Sequence, residues 1–139
     1  MVGLGVVCKT LIVEDNVTFR QMFKESLGSR FPAMEIEEAP DGRDLFNRIE
    51  SFHPRIVFMD IRLPGESGLE LSKKIKNNYP DVIIVVITSY DLPEYRQAAR
   101  LSKADHFVTK DAPTQDFLAL VESILLTQNP SSLQSKGQS

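Results

Sequence analysis

The sequence has no tryptophan, a single cysteine, and no hydrophobic run that approaches the roughly 20 residues needed to cross a membrane. Cys8 lies among apolar residues and has no partner cysteine, which excludes an internal disulfide and favours a reducing compartment. The apolar N-terminus also lacks the basic segment of a secretory signal. These absences predict a soluble, cytoplasmic protein that does not associate with a membrane.

A surplus of positive charge is also missing. The 139 residues contain 16 Lys and Arg against 19 Asp and Glu, which gives a formal net charge of -3 at pH 7. A surface dedicated to nucleic acid is normally basic, so this composition argues against one. If the protein regulates genes, we expect the DNA contact to come from a segment outside this chain. The length itself indicates one domain with a sizeable core.

Five short apolar runs rich in β-branched residues alternate with five amphipathic segments. The predicted strands are residues 10–15, 34–39, 55–60, 81–89 and 106–110. The predicted helices are residues 16–31, 41–54, 93–104 and 112–126, together with a third helix that begins at residue 67 and ends near residues 77–80. This alternation is typical of an α/β fold in which a doubly wound, five-stranded parallel sheet carries five helices on its two faces. We expect residues 1–126 to form this domain and the polar residues 127–139 to be a linker or disordered tail.

Local signals mark three helix starts. Asn16 and Ser67 have side chains suited to capping an N-terminus, and Pro93 suits a first helical turn. The residues expected to face the core from the first helix, by their spacing, are Phe19, Met22, Phe23 and Leu27.

Polar residues directly end the apolar runs of four predicted strands. They are Glu14 and Asp15 in the first, Asp60 in the third, Thr88 and Ser89 in the fourth and Lys110 in the fifth. Alone, each has an ordinary explanation as a helix-start acid, a turn former, a strand threonine or a solvated charge. Because parallel strands end at one edge, where such sheets bind their ligands, we expect these side chains to converge.

Three converging carboxylates need a counter-charge. Two unit charges about 4 Å apart repel by roughly 4 kcal/mol at an effective dielectric near 20. Lys110 compensates one charge at most, and a hard divalent cation such as Mg²⁺ suits the remainder. A carboxylate nucleophile, a metal, a hydroxyl and a lysine are also the groups that phosphoryl transfer to an acid requires.

Four segments together resemble the receiver domain of two-component response regulators, namely LIVEDN, VFMDIRLPGESGLEL, VVITSYD and FVTKDAP. The resemblance covers nearly the whole predicted domain and looks closest to the NarL/LuxR-type branch. It implies a flavodoxin-like (CheY-like) α/β fold. It also implies a phosphorylation-dependent signalling switch that catalyses only its own phosphorylation and dephosphorylation, rather than a turnover enzyme.

The resemblance assigns Asp60 as the residue that accepts a phosphoryl group from a phosphohistidine. The implied ligands of Mg²⁺ (or Mn²⁺) are Glu14, Asp15, Asp60 and the backbone carbonyl of Arg62, with Glu14 acting largely through water.

The same resemblance assigns three residues to the switch. Lys110 would pair with the phosphoryl group, and Thr88 would move its hydroxyl toward that group. Phe107 matches the family's switch aromatic, which turns inward as the threonine moves. The added charge would thereby repack the surface formed by the fourth helix, the fifth strand and the fifth helix.

Departures from the family pattern occur at four positions. Asp111 stands in place of the usual proline, and Lys103 stands where many relatives carry glycine. Arg62 and Tyr90 are bulky residues two positions beyond Asp60 and Thr88. We expect Arg62 and Tyr90 to hinder an attacking water and to lengthen the lifetime of the phosphorylated form.

Three other functions remain open at this level. A phosphohydrolase of the haloacid dehalogenase type would want an acid where Arg62 stands. A flavodoxin-like nucleotide-binding module would want a glycine- or hydroxyl-rich loop after the first strand, where residues 14–19 are acidic. A receiver fold used only as an interaction platform is disfavoured by the complete set of polar residues.

The implied partner is a sensor histidine kinase or a phosphotransfer protein, and phosphorylation could bring about a homodimer. Members of this branch usually continue into a DNA-binding helix-turn-helix domain, which these residues do not contain. The chain is therefore expected to be the N-terminal part of a transcriptional regulator or a single-domain regulator that acts on a protein.

Overall fold

The computed structural model describes residues 8–127 and confirms the predicted alternation of strands and helices. The strands are β1 (Lys9–Val13), β2 (Glu35–Ala39), β3 (Ile56–Asp60), β4 (Ile83–Thr88) and β5 (His106–Thr109). The helices are α1 (Val17–Arg30), α2 (Leu45–Phe52), α3 (Gly68–Asn78), α4 (Pro93–Leu101) and α5 (Thr114–Thr127). All strands are parallel, in the order β2-β1-β3-β4-β5.

The central strands are buried on both faces, which explains their almost continuously apolar sequences. Successive side chains of a strand point to opposite faces of the sheet. Val57 and Met59 of β3 therefore join the cluster that contains α2 and α3, whereas Ile56 and Phe58 join the cluster that contains α1 and α5. The strand order reverses between β1 and β3, so the polar ends of these strands flank the switch point of the sheet.

One core prediction for α1 was wrong. Phe23 and Leu27 are buried and Phe19 packs against the same cluster, but Met22 is 42% exposed. Since each residue turns the helix by about 100°, Met22 lies beyond the edge of the stripe that Phe19, Phe23 and Leu27 share.

The predicted helix starts at Asn16, Ser67 and Pro93 are confirmed. The Oδ1 atom of Asn16 accepts the Phe19 N–H at 2.9 Å, and the Oγ atom of Ser67 accepts the Leu69 N–H at 3.1 Å. Pro93 occupies the first turn of α4.

Helix α2 is shorter than the predicted 41–54. The Oδ1 atom of Asp41 accepts the Arg43 N–H at 2.9 Å, so the side chain closes a turn instead of a helical bond forming. Asp44 then adopts a left-handed conformation with φ 62°, and the helix begins at Leu45. It ends at Phe52, because His53 is also left-handed, with φ 55°.

The chain reverses after α4 at Lys103, which has φ 68°. The Lys103 N–H donates to the Arg100 carbonyl at 3.0 Å and the Ala104 N–H to the Ala99 carbonyl at 3.2 Å. Lysine thus occupies a left-handed helix terminus that glycine adopts without strain.

Helix α5 includes Thr127, one residue beyond the predicted domain limit. The rest of the predicted linker, residues 128–139, lies outside the described residues, as do residues 1–7 at the N-terminus. Among the helices of the described part, none has both the length and the apolar character to span a membrane.

Candidate functional site

The carboxylates predicted to converge do so at the carboxyl edge of the sheet. Glu14 and Asp15 follow β1 and Asp60 ends β3, and one carboxylate oxygen from each lies within 4.8 Å of the others. Glu14 and Asp60 are buried, whereas Asp15 is exposed. Lys110 follows β5 and reaches the same cluster. The site therefore sets three acids against one ammonium group.

Asp60 is only 4% exposed, and both of its carboxylate oxygens have partners. Oδ1 accepts the Arg62 N–H at 3.3 Å, and Oδ2 lies 3.4 Å from the Lys110 Nζ. Burial and the negative charge of Glu14 outweigh these two contacts and raise the pKa of Asp60 from 3.8 to about 6. The carboxylate is held in one place but is not fully neutralised.

Lys110 lies between the two buried acids. Its Nζ is 2.7 Å from Glu14 Oε1, and it also lies 4.9 Å from the centroid of the Phe19 ring in α1. Burial by itself lowers the pKa of this lysine, but Glu14 and Asp60 overcome that effect and raise it. Lys110 is thus a permanent cation at this edge of the sheet.

Two residues that sequence reasoning missed shape the floor of the site. A Cβ atom at Gly68 would lie 1.8 Å from the Asp60 carbonyl oxygen, so only glycine lets α3 begin this close to β3. Arg20 of α1 donates to the Glu14 carbonyl at 2.6 Å and to Glu38 at 2.9 Å, which links α1 to the ends of β1 and β2. No local sequence pattern predicts either the close approach at Gly68 or the contacts of Arg20.

Thr88 is fully buried at the end of β4. Its Oγ1 accepts the Tyr90 N–H at 3.1 Å, and its carbonyl accepts the Lys110 N–H at 2.8 Å. The hydroxyl oxygen is therefore engaged with the following loop, two residues along the chain.

Arg62 and Tyr90 are both exposed and contact each other. The Arg62 Cζ atom lies 4.8 Å from the centroid of the Tyr90 ring, which is 43% exposed. This cation–π contact joins the loop after β3 to the loop after β4.

Phe107 lies apart from the carboxylates, on β5 opposite Val86 of β4. Its ring packs partly against the core cluster of α2 and α3, and the Arg96 guanidinium of α4 covers it at 4.6 Å. Phe107 is thus at the α4 side of the sheet, three residues before Lys110.

The donor set fits a hard divalent cation. The Glu14 Oε1 atom is buried and pairs with the Lys110 ammonium at 2.7 Å, and no other donor in residues 8–127 satisfies it. Carboxylate oxygens, one of them on the exposed Asp15, are the ligands that Mg²⁺ takes together with water.

The family model of the response regulator receiver domain matches residues 10–122. The oxygen regulatory protein NreC of Staphylococcus carnosus (strain TM300) is 28% identical over 117 residues, which are 84% of this chain and 54% of NreC. The chain therefore spans about half the length of the curated relatives it matches.

Two solved structures are similar in fold. The receiver domain protein (CheY-like) from Methanospirillum hungatei JF-1 superimposes with a TM-score of 0.81 at 25% identity, over 91% of this chain and 99% of that one. The LuxR-family DNA-binding response regulator from Staphylococcus aureus gives 0.78 at 24% identity, over 85% and 98%. The CheY-like fold is the one expected from the sequence.

Proposed function

The chain belongs to the response regulator receiver domain family, and from that premise we propose that it is a switch operated by phosphorylation of Asp60. Receiver domains are phospho-acceptors rather than turnover enzymes. The observation that carries the proposal is the position of Asp60, which is buried at the sheet edge between two further carboxylates and Lys110. The chemistry requires a positioned acid nucleophile and nearby positive charge.

Glu14, Asp15, Asp60 and the Arg62 backbone carbonyl would hold the Mg²⁺ (or Mn²⁺). When bound, the ion supplies charge that neutralises phosphoryl oxygens. The Asp60 carboxylate oxygen forms the new bond to phosphorus, while the bond between phosphorus and the imidazole nitrogen of the partner's phosphohistidine breaks. The bonding electron pair stays with the donor imidazole.

Lys110 and Thr88 would bind the phosphoryl group on Asp60. Lys110 already lies 3.4 Å from the Asp60 Oδ2 atom, so it can pair with an anion on that oxygen without a large movement. Thr88 has to give up its bond from the Tyr90 N–H before its oxygen can turn toward the site. Movement of this residue and of Phe107 on the neighbouring strand would transmit the signal to the α4–β5–α5 surface.

Arg62 and Tyr90 would set the lifetime of the phosphorylated form. Their cation–π contact joins two bulky, exposed side chains. A water that attacks the phosphoryl group has to pass or displace them. We therefore assign the pair to the exclusion of water.

The partner that supplies the phosphoryl group would be a sensor histidine kinase or a phosphotransfer protein, and the location would be the cytoplasm. The NarL/LuxR-type branch, and with it a DNA-binding output domain in a longer protein, is supported by NreC and by the LuxR-family response regulator. DNA contact would come only from that domain, and homodimerisation would accompany phosphorylation.

Intact-protein mass spectrometry with acetyl phosphate tests the proposal. We expect one added phosphoryl group in the presence of Mg²⁺, none after chelation, and none in Asp60→Asn. A receiver fold that serves only as an interaction platform would take up no phosphoryl group and would not bind beryllofluoride, and that result would overturn the proposal.

A further inference from the structure

The Arg96 side chain of helix α4 contacts the loop after β4. The Arg96 Nε atom donates to the Asp91 Oδ1 atom at 2.7 Å. The same guanidinium lies over the ring of Phe107, with its Cζ atom 4.6 Å from the ring centroid. Arg96 therefore contacts both the loop that follows Thr88 and the aromatic residue of β5.

The loop backbone is coupled to Thr88 in the arrangement that the structure shows. The Thr88 Oγ1 atom accepts the Tyr90 N–H at 3.1 Å, and Asp91 is the next residue along the chain. If Thr88 turns its hydroxyl toward Asp60, this bond breaks and the loop backbone shifts. A shift at Tyr90 displaces Asp91 relative to α4, and this displacement weakens the ion pair between Asp91 and Arg96.

We propose that Arg96 is a positioning residue that latches the loop and Phe107 in the unphosphorylated arrangement. The inference rests on the proposed function of Asp60 and Thr88. The name Arg96 latch denotes Arg96 with its two contacts, Asp91 and Phe107. Release of the latch accompanies the movement of Thr88, so the latch lowers the population of the phosphoryl-binding arrangement.

The exposure of Arg96 and Asp91 sets how far the latch shifts the equilibrium between the two arrangements. The side chains of Arg96 and Asp91 are 46% and 55% exposed, so water and salt weaken their ion pair. An exposed ion pair and an exposed cation–π contact each shift an equilibrium by about two- to fivefold. A ligand that binds only the switched arrangement reports this shift as a change of its apparent affinity.

The chain contains no tryptophan, which allows a clean optical reporter at the latch. Phe107→Trp places the only indole of the protein under the Arg96 guanidinium. In this background, beryllofluoride is titrated in the presence of Mg²⁺ with Arg96, Arg96→Leu and Asp91→Asn. The readouts are the indole emission before titration and the apparent dissociation constant.

The two substitutions separate the two contacts of the latch. Both should lower the apparent dissociation constant for beryllofluoride, by about two- to fivefold for Asp91→Asn and by more for Arg96→Leu. Arg96→Leu should also change the starting emission, because it removes the cation from the indole face. Asp91→Asn should change that emission less, because the stacked guanidinium stays.

Two further variants guard against a purely structural effect. Arg100→Leu removes one charge from the same helix, and Arg100 forms no ion pair with Asp91 in the described part of the chain; its beryllofluoride affinity should equal the parent value. The charge-reversed pair Asp91→Arg with Arg96→Asp should bring the affinity back toward the parent value. The recovery in the charge-reversed pair is not expected if Arg96 contributes only to folding.

The possible failures are distinguishable. If neither the wild-type chain nor the Phe107→Trp parent binds beryllofluoride, the proposed function fails. If the parent binds but Asp91→Asn and Arg96→Leu have unchanged or weaker affinity, the latch is overturned while the proposed function stands. Asp91→Asn and Arg96→Lys decide the question should Arg96→Leu not fold, with Arg96→Lys expected between the parent and Asp91→Asn.

Discussion

The Lys110 ammonium lies 2.7 Å from the Glu14 carboxylate. It is closer to this acid than to Asp60, which is 3.4 Å away. Lys110, which is expected to pair with a phosphoryl group, therefore also compensates the charge of Glu14, an acid of the candidate metal site. With three carboxylates facing one cation, the metal-free site is destabilised by its own negative charge.

Magnesium should stabilise the protein through Asp15. We expect Mg²⁺ at about ten times its dissociation constant to raise the free energy of unfolding by about 1–2 kcal/mol, since the ion binds only the folded site. Chemical denaturation with and without the ion measures this gain. Asp15→Asn should lose most of it, whereas the exposed Asp81→Asn should keep it. Equal gains in both variants would place the ion elsewhere.

Asp60→Asn should stabilise the metal-free protein above pH 6. Because the pKa of Asp60 is raised from 3.8 to about 6, the folded state binds the proton more tightly than the unfolded state does. Stability from this group is present below about pH 4 and is lost as the pH rises through about 6. The asparagine variant avoids this loss, by on the order of 1–3 kcal/mol above pH 6.

The measurement is denaturation of both proteins in chelator across pH 4–8. The advantage of the Asp60→Asn variant should shrink toward zero near pH 4, where the wild-type acid is protonated. A difference that does not depend on pH would contradict this electrostatic explanation.

Gly68→Ala should damage the site, because its Cβ would meet the Asp60 carbonyl oxygen at 1.8 Å. The backbone of α3 or β3 has to shift, with a loss of about 1–3 kcal/mol and weaker binding of Mg²⁺. Gly28→Ala is a matched control in α1, where nothing lies within 4 Å of the added methyl group. That variant should gain up to about 1 kcal/mol from helix propensity. Similar effects of the two substitutions on Mg²⁺ affinity would exclude a positioning role for Gly68.

Lys103→Gly should stabilise the fold by about 1 kcal/mol, because Lys103 adopts φ 68° and glycine adopts this conformation without steric conflict. Lys103→Ala serves as the control, since alanine removes the charge but keeps the Cβ atom. Thermal denaturation should show a gain for glycine only. An equal gain for alanine would assign the effect to charge.

Arg62→Asn and Tyr90→Glu should shorten the lifetime of the phosphorylated protein. The cation–π contact between these residues is worth about 0.5–1 kcal/mol, so its loss opens the site to water and raises the dephosphorylation rate by about two- to fivefold. The decay of the phosphorylated mass after removal of acetyl phosphate measures this rate. The lifetime assignment is wrong if both variants decay at the parent rate.

The sequence was sufficient for the sheet and for the cluster of acids. Apolar runs that end in Asp15, Asp60 and Lys110 predict strands, and the parallel arrangement then brings the strand ends to one edge. The boundaries of α2 were harder to predict, because the Asp41 side chain accepts a hydrogen bond from the nearby Arg43 N–H, which competes with helical hydrogen bonds.

The contacts that support the site could not be read from the sequence. These contacts join elements whose relative placement depends on packing: Phe19 with Lys110, Gly68 with Asp60, and Arg96 with Phe107. Phe19, Gly68 and Arg96 each also have an ordinary local role in their own helix. Their second role emerges only when the helices are placed on the sheet.

Locating the phosphoryl group tests the central claim most directly. After incubation with acetyl phosphate and Mg²⁺, the acyl phosphate is reduced with borohydride and the peptides are sequenced by tandem mass spectrometry. The account predicts that Asp60 alone is converted to homoserine. Conversion at Asp15, Asp41 or another acid, with Asp60 unmodified, would contradict it.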